Sequence, residues 1–253
     1  MIGDVHGQAG ALGVALDTIG RVPATGLSRH LVFLGDLIDR GPDSLGAVRL
    51  AMGAADRARV DKVTLLPGNH ELMLIDGLFD PAERMAQWLD NGGDEVVREA
   101  DPRCTAGSLN EIAEVLHGAI DPEFLSRMTS GPTFQKEGDL LLVHAGLHPK
   151  TDPNAFLSRS RFRAFGDHWA WIRSAFLDWE SGWGPDRSWL VVHGHTPAVT
   201  RSSDLAGFVM AADRVRTHRR LCLDAGAAYR LPQIGWAEFQ PDRYRVGFTT
   251  IDA

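Results

Sequence analysis

Asp4 and His6 stand two residues apart, just after an apolar Met1-Ile2 pair. In extended backbone, residues i and i+2 point to the same side, so a carboxylate and an imidazole at this spacing can reach one cation. Asp36 closes another apolar run, and its two oxygens could touch two cations at once. Asn69, His144 and His195 follow three further runs and could complete the ligands of a second cation. The expected ligand set is therefore Asp4, His6, Asp36, Asn69, His144 and His195. Carboxylate, amide and imidazole donors together suit manganese first, with iron or zinc as alternatives, rather than calcium. Two divalent metal ions held close together clamp a phosphate, lower the pKa of a bound water toward ~7 and stabilise in-line displacement. That chemistry is phosphoester hydrolysis.

Each residue alone has a plainer reading. An Asp after Gly is ordinarily a turn or a helix cap, and a lone His is ordinarily structural. What unites them is the sequence in front of them. Leu31-Val32-Phe33-Leu34 leads into Gly35-Asp36, and Val63-Thr64-Leu65-Leu66 leads through Pro67 into Gly68-Asn69-His70. Leu140-Leu141-Leu142-Val143 leads into His144-Ala145-Gly146, and Trp189-Leu190-Val191-Val192 into His193-Gly194-His195. Leu221-Cys222-Leu223 leads into Asp224-Ala225-Gly226. Short, β-branched apolar runs read as strands buried on both faces. Apolar residues recur at helical spacing over residues 9–19, 45–55, 71–78, 82–89, 109–116 and 169–177. The segment over 45–55 follows a Pro42-Asp43-Ser44 start signal. Strands alternating with helices predict a layered α/β domain, whose ligands gather at the carboxyl ends of its strands. No linker divides residues 1–253, so a single domain is expected. Residues 80–130 read as a helical, cap-like segment beside the sheet, and residues 151–162 and 200–219 as loop-rich insertions.

In order and spacing, GDVHG (Gly3–Gly7), GDLIDRG (Gly35–Gly41), GNHE (Gly68–Glu71), HAG (His144–Gly146) and HGHT (His193–Thr196) resemble the motif set of the metallophosphoesterases. The likeness is to the phosphoprotein-phosphatase (PPP) type, bacterial in character, and spans about residues 3–226. It implies a layered α/β/β/α sandwich with a dimetal site at the strand ends. It also implies that Asp4 and His6 hold one metal, that Asp36 bridges, and that Asn69, His144 and His195 hold the other. Arg40 would grip a phosphate oxygen, with Asn69 beside it. His70 would protonate the leaving oxygen, and Asp39 would orient His70. A second phosphate-binding arginine is expected between HAG and HGHT. Arg173 fits best, with Arg187 as the fallback. His193 is expected beside the ligands rather than among them. Trp88-Leu89-Asp90-Asn91-Gly92-Gly93 resembles a W-x-x-N-G-G stretch of the bacterial PPP type, with Trp88 either walling a substrate cleft or filling core. The Trp169, Trp171, Trp179, Trp183 and Trp189 group carries the same two readings. Only Met1-Ile2 precede the first motif, which implies a trimmed start or a very short first strand.

The bulk numbers set limits. The chain has 253 residues, 44% of them apolar, and a net charge of −7. That charge repels polyanions, so extended nucleic-acid binding is not expected. No apolar run reaches the roughly 18 residues of a membrane span, and no signal peptide is evident. Cys104 and Cys222 fit no ligand spacing and are expected to be reduced and small-apolar in role. A monomeric cytoplasmic enzyme is expected, acting on a phosphorylated protein or a small phosphoester. The leading substrate is phosphoserine or phosphothreonine; NGGDE after Trp88 favours it over a symmetrical dinucleoside tetraphosphate. A non-catalytic binding module would have lost ligands or His70, and none is missing. His30, His117, His148, His168 and His218 are expected to be structural or solvated.

Overall fold

The alternation of the apolar runs sorts their side chains into three slabs of core. The computed structural model describes residues 1–23, 26–104, 107–197, 219–229, 232–241 and 244–250. Strands β1 (His30–Phe33) and β2 (Lys62–Leu65) pair in parallel. Beside β1 lies one bridging residue, Ile2, whose N–H donates to Val32 O and whose carbonyl accepts from Leu34 N. Ile2 also bridges Trp236, and so joins β1 and β2 to the antiparallel hairpin of β7 (Gln233–Phe239) and β8 (Tyr244–Thr250). The second sheet has the order β3 (Phe134–Glu137), β4 (Leu140–Val143), β5 (Leu190–His193), β6 (Arg220–Cys222). Its β4, β5 and β6 run parallel, and β3 is antiparallel at the edge.

Leu31, Phe33, Leu65 and Ile234 face outward from the first sheet. They join Leu12 and Leu16 of α1 (Ala9–Gly20), Val48 of α2 (Ser44–Met52), Ala54 of α3 (Ala54–Arg57) and Leu74 of α4 (Asn69–Phe79). Val32 and Leu34 face inward and meet Leu142, Leu190, Val192 and Leu221 of the second sheet. On that sheet's far side, Leu141, Val143 and Val191 pack against Phe156, Trp169, Phe176 and Trp183. The result is the α/β/β/α order. Asp43 caps α2, accepting from Gly46 N at 2.7 Å, as the start signal predicts.

Residues 80–130 form wide helical turns from Pro81 to Gly93 with α5 (Ala86–Trp88) inside them, then α6 (Asp94–Ala100), α7 (Leu109–Ala119) and α8 (Pro122–Ser130). Their buried Met85, Trp88, Val96, Leu116 and Phe124 belong to the same cluster as Ile2 and Phe33, so the stretch packs within the helical layer. The outer layer is thin: α9 (Pro153–Leu157) and α10 (Ser174–Leu177) are short. The helix expected over 169–177 shrinks to α10. Trp169 O instead accepts from Ala145 N, which ties this turn to the HAG loop. Apart from Arg219, the insertion expected over 200–219 lies outside the described residues, as does His218. No helix among the described residues is long and apolar enough to cross a membrane.

His168 lies buried against Trp169, ring centroids 4.5 Å apart. Its Nδ1 accepts from Ala170 N at 3.2 Å, and its Nε2–H donates to Ser160 O at 3.0 Å. A second proton would set N–H against N–H. Burial leads the causes that lower its pKa to about 4. The unfolded ring titrates near ~6.5, so between these values the unfolded chain binds the extra proton. Its contribution to stability is therefore whole above about pH 6.5 and shrinks as pH falls toward 4. In metal-free protein, the urea midpoint should fall less steeply over that window for His168→Gln than for wild type.

Candidate metal centre and active site

The site begins with backbone held where most residues avoid it. His6 (φ 43°), Asp36 (φ 51°), Asp39 (φ 74°), Arg40 (φ 69°) and His195 (φ 66°) all lie in the left-handed region. Each such residue costs about 1–3 kcal/mol and persists only when its surroundings over-determine it. For the loop after β1, the surroundings are Glu71. Its buried carboxylate accepts from Asp36 N (2.8 Å), Leu37 N (2.7 Å), Ile38 N (3.4 Å) and Gly68 N (2.8 Å). Gly35 permits the approach of the two motif loops, since a Cβ there would meet Gly68 N at 2.3 Å. Burial, then the Asp36 charge, raises Glu71 to about 7 against the pull of the Gly68 and Asp36 amides.

The loops deliver the expected ligands to one pocket. Asp36 Oδ2 lies 3.5 Å from His6 Nε2 and 3.4 Å from His144 Nε2. Asn69 Oδ1 lies 3.1 Å from His144 Nε2 and 2.7 Å from His195 Nδ1. Each imidazole has its outer nitrogen committed to a carbonyl: His6 Nδ1–H donates to Ile38 O (3.1 Å), His144 Nδ1–H to Leu34 O (2.8 Å), His195 Nε2–H to Trp171 O (3.2 Å). Those bonds fix the tautomers and turn the lone-pair nitrogens inward. In this arrangement acceptor meets acceptor unless a proton or a cation stands between them, so the donor set fits metal ions. Two groups are compact enough to hold one ion each: His6, Asp36 and His70, and Asp36, His144 and His195. Asp36 is common to both, where a bridging carboxylate belongs. Asp4 is in neither group; it forms the adjoining wall, and His195 N donates to its oxygens at 2.9 and 3.2 Å.

The protonation tendencies express the same crowding. Burial would push Asp36 up, but His144, His70 and His6 together hold it well below the usual carboxylate range. Burial would push His144 down, and Asp36 more than offsets that. Burial, then Asp224 and Asp36, raises Asp4 well above its ordinary value. Burial lowers His6 to about 3, and burial with His144 and Arg173 holds His195 well below its ordinary value.

Beside the cage, His70 Nδ1 meets Asp39 Oδ2 at 2.7 Å, leaving Nε2 for the pocket. Trp88 Nε1–H donates to the same oxygen at 2.8 Å. Burial lowers His70 to about 4, and burial with the Asp36 charge raises Asp39 well above the usual carboxylate range. Arg40 is clamped by the W-x-x-N-G-G stretch: its N–H donates to Gly92 O (3.1 Å) and its Nε–H to Asn91 O (3.1 Å). Gly92 is required there, at φ 106° and with Arg40 Cγ 2.5 Å from where a Cβ would be. Arg173 is exposed at the rim and donates to Thr196 Oγ1 (2.8 Å) and His195 O (3.3 Å). Arg187 lies on the surface turn between Trp183 and Trp189 and touches none of these residues. His193 is buried with its ring edge-on to Phe176 and joins neither ion group.

Trp88 is fully buried, so its cleft-wall reading gives way to core with a polar task. Of the tryptophan group, Trp169 and Trp183 are core, and Trp171 comes within 6.3 Å of the His195 ring. The sequence assigned no part in the site to Glu71, or to Ser44, whose Oγ accepts from Asp39 N at 3.1 Å. Glu71 was legible as the last residue of GNHE, at the third position of α4, where a carboxylate can reach back to the helix start.

A family model described as calcineurin-like phosphoesterase matches residues 1–228, and the chain belongs to that family. It is a metal-dependent hydrolase of phosphoesters. It is 29% identical over 257 residues to the symmetrical bis(5'-nucleosyl)-tetraphosphatase of Methylococcus capsulatus, covering 99% of this chain and 78% of that one. It is 26% identical over 209 residues to the asymmetrical bis(5'-nucleosyl)-tetraphosphatase PrpE of Bacillus subtilis, covering 78% of each. It is 39% identical over 98 residues to serine/threonine-protein phosphatase 1 of Salmonella typhimurium, covering 39% of this chain and 40% of that one.

Glu71→Gln preserves shape but turns an amide N–H₂ toward the backbone N–H groups that Glu71 now satisfies. Leaving such donors unpaired costs about 1–3 kcal/mol. Urea melts of the metal-free variant should show a loss of that size.

Proposed function

We propose that this chain hydrolyses phosphomonoesters with two divalent cations, Mn²⁺ in preference to Fe or Zn, and that its substrates are phosphoserine or phosphothreonine side chains. The observation that carries the reading is the His70–Asp39 pair, buried and braced by Trp88. A serine or threonine alkoxide is a poor leaving group and needs a proton; the phosphate expelled from an anhydride does not. A second reading, dinucleoside tetraphosphate hydrolysis, is favoured by the relatives that align over most of this chain. The W-x-x-N-G-G stretch favours neither, because it grips Arg40 and Asp39 rather than a leaving group. We place the activity in the cytoplasm, in a monomer.

In this reading Asp4, His6 and Asp36 would hold the first ion, and Asp36, Asn69, His144 and His195 the second. Two cations bound there would make a water more acidic and offset charge developing on the phosphate. Arg40 and Arg173 bind and orient the phosphate oxygens, and Arg40 does so with its fork fixed in advance by Asn91 and Gly92. Substrate negative charge beside His70 raises its basicity, which favours the imidazolium that donates from Nε2. Asp39 holds the ring in orientation through Nδ1, and Trp88 holds Asp39.

Mn²⁺-loaded protein should hydrolyse p-nitrophenyl phosphate; Asp36→Asn should lower kcat/KM at least ~100-fold. Full turnover after chelation and dialysis would refute the metal dependence. His70→Asn should slow a phosphoserine peptide by about 10²–10⁴ but p-nitrophenyl phosphate much less, since that leaving group needs little protonation. Equal slowing would remove the acid role. Comparing kcat/KM on a phosphothreonine peptide and on diadenosine tetraphosphate decides between the two substrate readings.

A further inference from the structure

A cavity of about 360 Å³ lies beside the metal centre, and the chemistry above leaves it without a role. It is lined by Leu72 and Met73 from α4, Arg84 and Gln87 from the wide turns, and Arg163 and Phe165 from the loop before Trp169. Two relations tie it to the site. His70, Met73 and Asp76 follow one another at i, i+3 spacing along α4, so the cavity begins one turn from the proposed acid. Phe165 lies against Trp171, ring centroids 5.4 Å apart, and the Trp171 carbonyl accepts from His195 Nε2. The cavity is thus on the side where His70 would meet the leaving group.

Its charges run against the net −7 of the chain. Arg84 and Arg163 share the lining with one carboxylate, Asp76. Asp76 Oδ2 accepts from Arg163 N at 2.8 Å, and Arg163 Nη2 reaches Asp80 Oδ2 at 3.3 Å. Arg84 is placed differently: its Nε is buried, and no acceptor among the described residues reaches it. An unmatched buried donor destabilises the empty cavity, and an entering anion would match it. Phe165, 74% exposed, offers the stem of such a group an apolar face.

We propose that this cavity is a specificity subsite, in which Arg84, with Arg163 beside it, receives a side-chain carboxylate of the phosphoprotein substrate. The inference rests on the phosphoserine and phosphothreonine reading above. The six residues of helix from His70 to Asp76 rise about 9 Å. An extended peptide covers about 3.3 Å per residue. The carboxylate therefore belongs two or three residues from the phosphorylated one. A guanidinium gives a carboxylate two parallel charge-assisted bonds, which it cannot give an amide. The alternative is an arginine that only covers α4 with its stem. Such an arginine would not distinguish glutamate from glutamine in a substrate.

Mn²⁺-loaded protein tests this on phosphothreonine peptides with glutamate, glutamine or lysine two or three residues to either side of the phosphothreonine. Wild type should favour glutamate over glutamine at one such position by about tenfold in kcat/KM, the scale of one charge-assisted hydrogen bond. In Arg84→Gln that preference should disappear, and in Arg84→Glu the lysine peptide should overtake the glutamate peptide. Each ratio is taken within one preparation, so loss of folded protein cancels. Wild type with no preference at any of these positions overturns the proposal, whether or not the variants fold. A preference that survives Arg84→Gln also overturns it. So does a loss in Arg84→Gln confined to diadenosine tetraphosphate, which would give the cavity to a nucleotide's phosphates. Wild type that cleaves diadenosine tetraphosphate and no phosphopeptide sinks the phosphoserine reading and the subsite together; equal cleavage of glutamate and glutamine peptides sinks the subsite alone.

Discussion

Asp36 Oδ2 has a histidine nitrogen about 3.5 Å away on either side, and the other nitrogen of each of those rings, like the Nε2 of His195, is committed to a carbonyl behind it. Buried acceptors turned toward one another repel unless a proton or a cation stands between them, and no rearrangement of side chains alone relieves them, because each ring is anchored from outside. The pocket is thus built for positive charge and strained without it. Much else in the molecule follows from keeping these atoms together: the parallel pairs β1–β2 and β4–β5 aim their carboxyl ends at one place, and five left-handed non-glycine residues bend the loops the last few Å.

Those bends need a counterweight, and Glu71 is the largest one. It sits on the first turn of α4, one residue after His70 and two after Asn69, so the helix that carries both of those site residues also supplies the clamp for the Asp36 loop. Chemistry and fold are coupled here through one rigid element. The cluster beneath, with Leu74, Ile38 and Phe33 all buried, keeps that helix seated on the first sheet.

The candidate site residues stood out because their signal is local and repeated: a buried strand pattern, a glycine, then a polar residue. A layered α/β domain was legible for the same reason, since strands buried on both faces demand cover on both sides, whereas the α/β/β/α order came from the family resemblance. Less visible was whatever depends on partners distant in sequence. The hairpin Gln233–Phe239 with Tyr244–Thr250 completes the first sheet only because Ile2 bridges Trp236, 234 residues away. Trp88 reads as an aromatic at helical spacing; that its indole faces Asp39, 49 residues away, is a tertiary fact. Residues 169–172 have helical spacing, yet the Trp169 carbonyl is taken by Ala145 and the rings fill core, so tertiary demand overrides local preference.

The same logic explains why reaction class is easier to read than substrate. In the proposed reading every strongly held residue in the site, from Asp4 to Arg40, acts on cations, on the phosphate or on the proton of the leaving oxygen. The leaving group itself must touch the rim, where Arg173 and Phe165 are exposed and Phe165 leans on Trp171 with centroids 5.4 Å apart. Rim side chains are set by loops, carry no strand-end signature, and change without disturbing the cage beneath. Relatives named for nucleotide anhydrides and for phosphoproteins can therefore share one core, because the cage fixes what happens to phosphorus and leaves open what is attached to it.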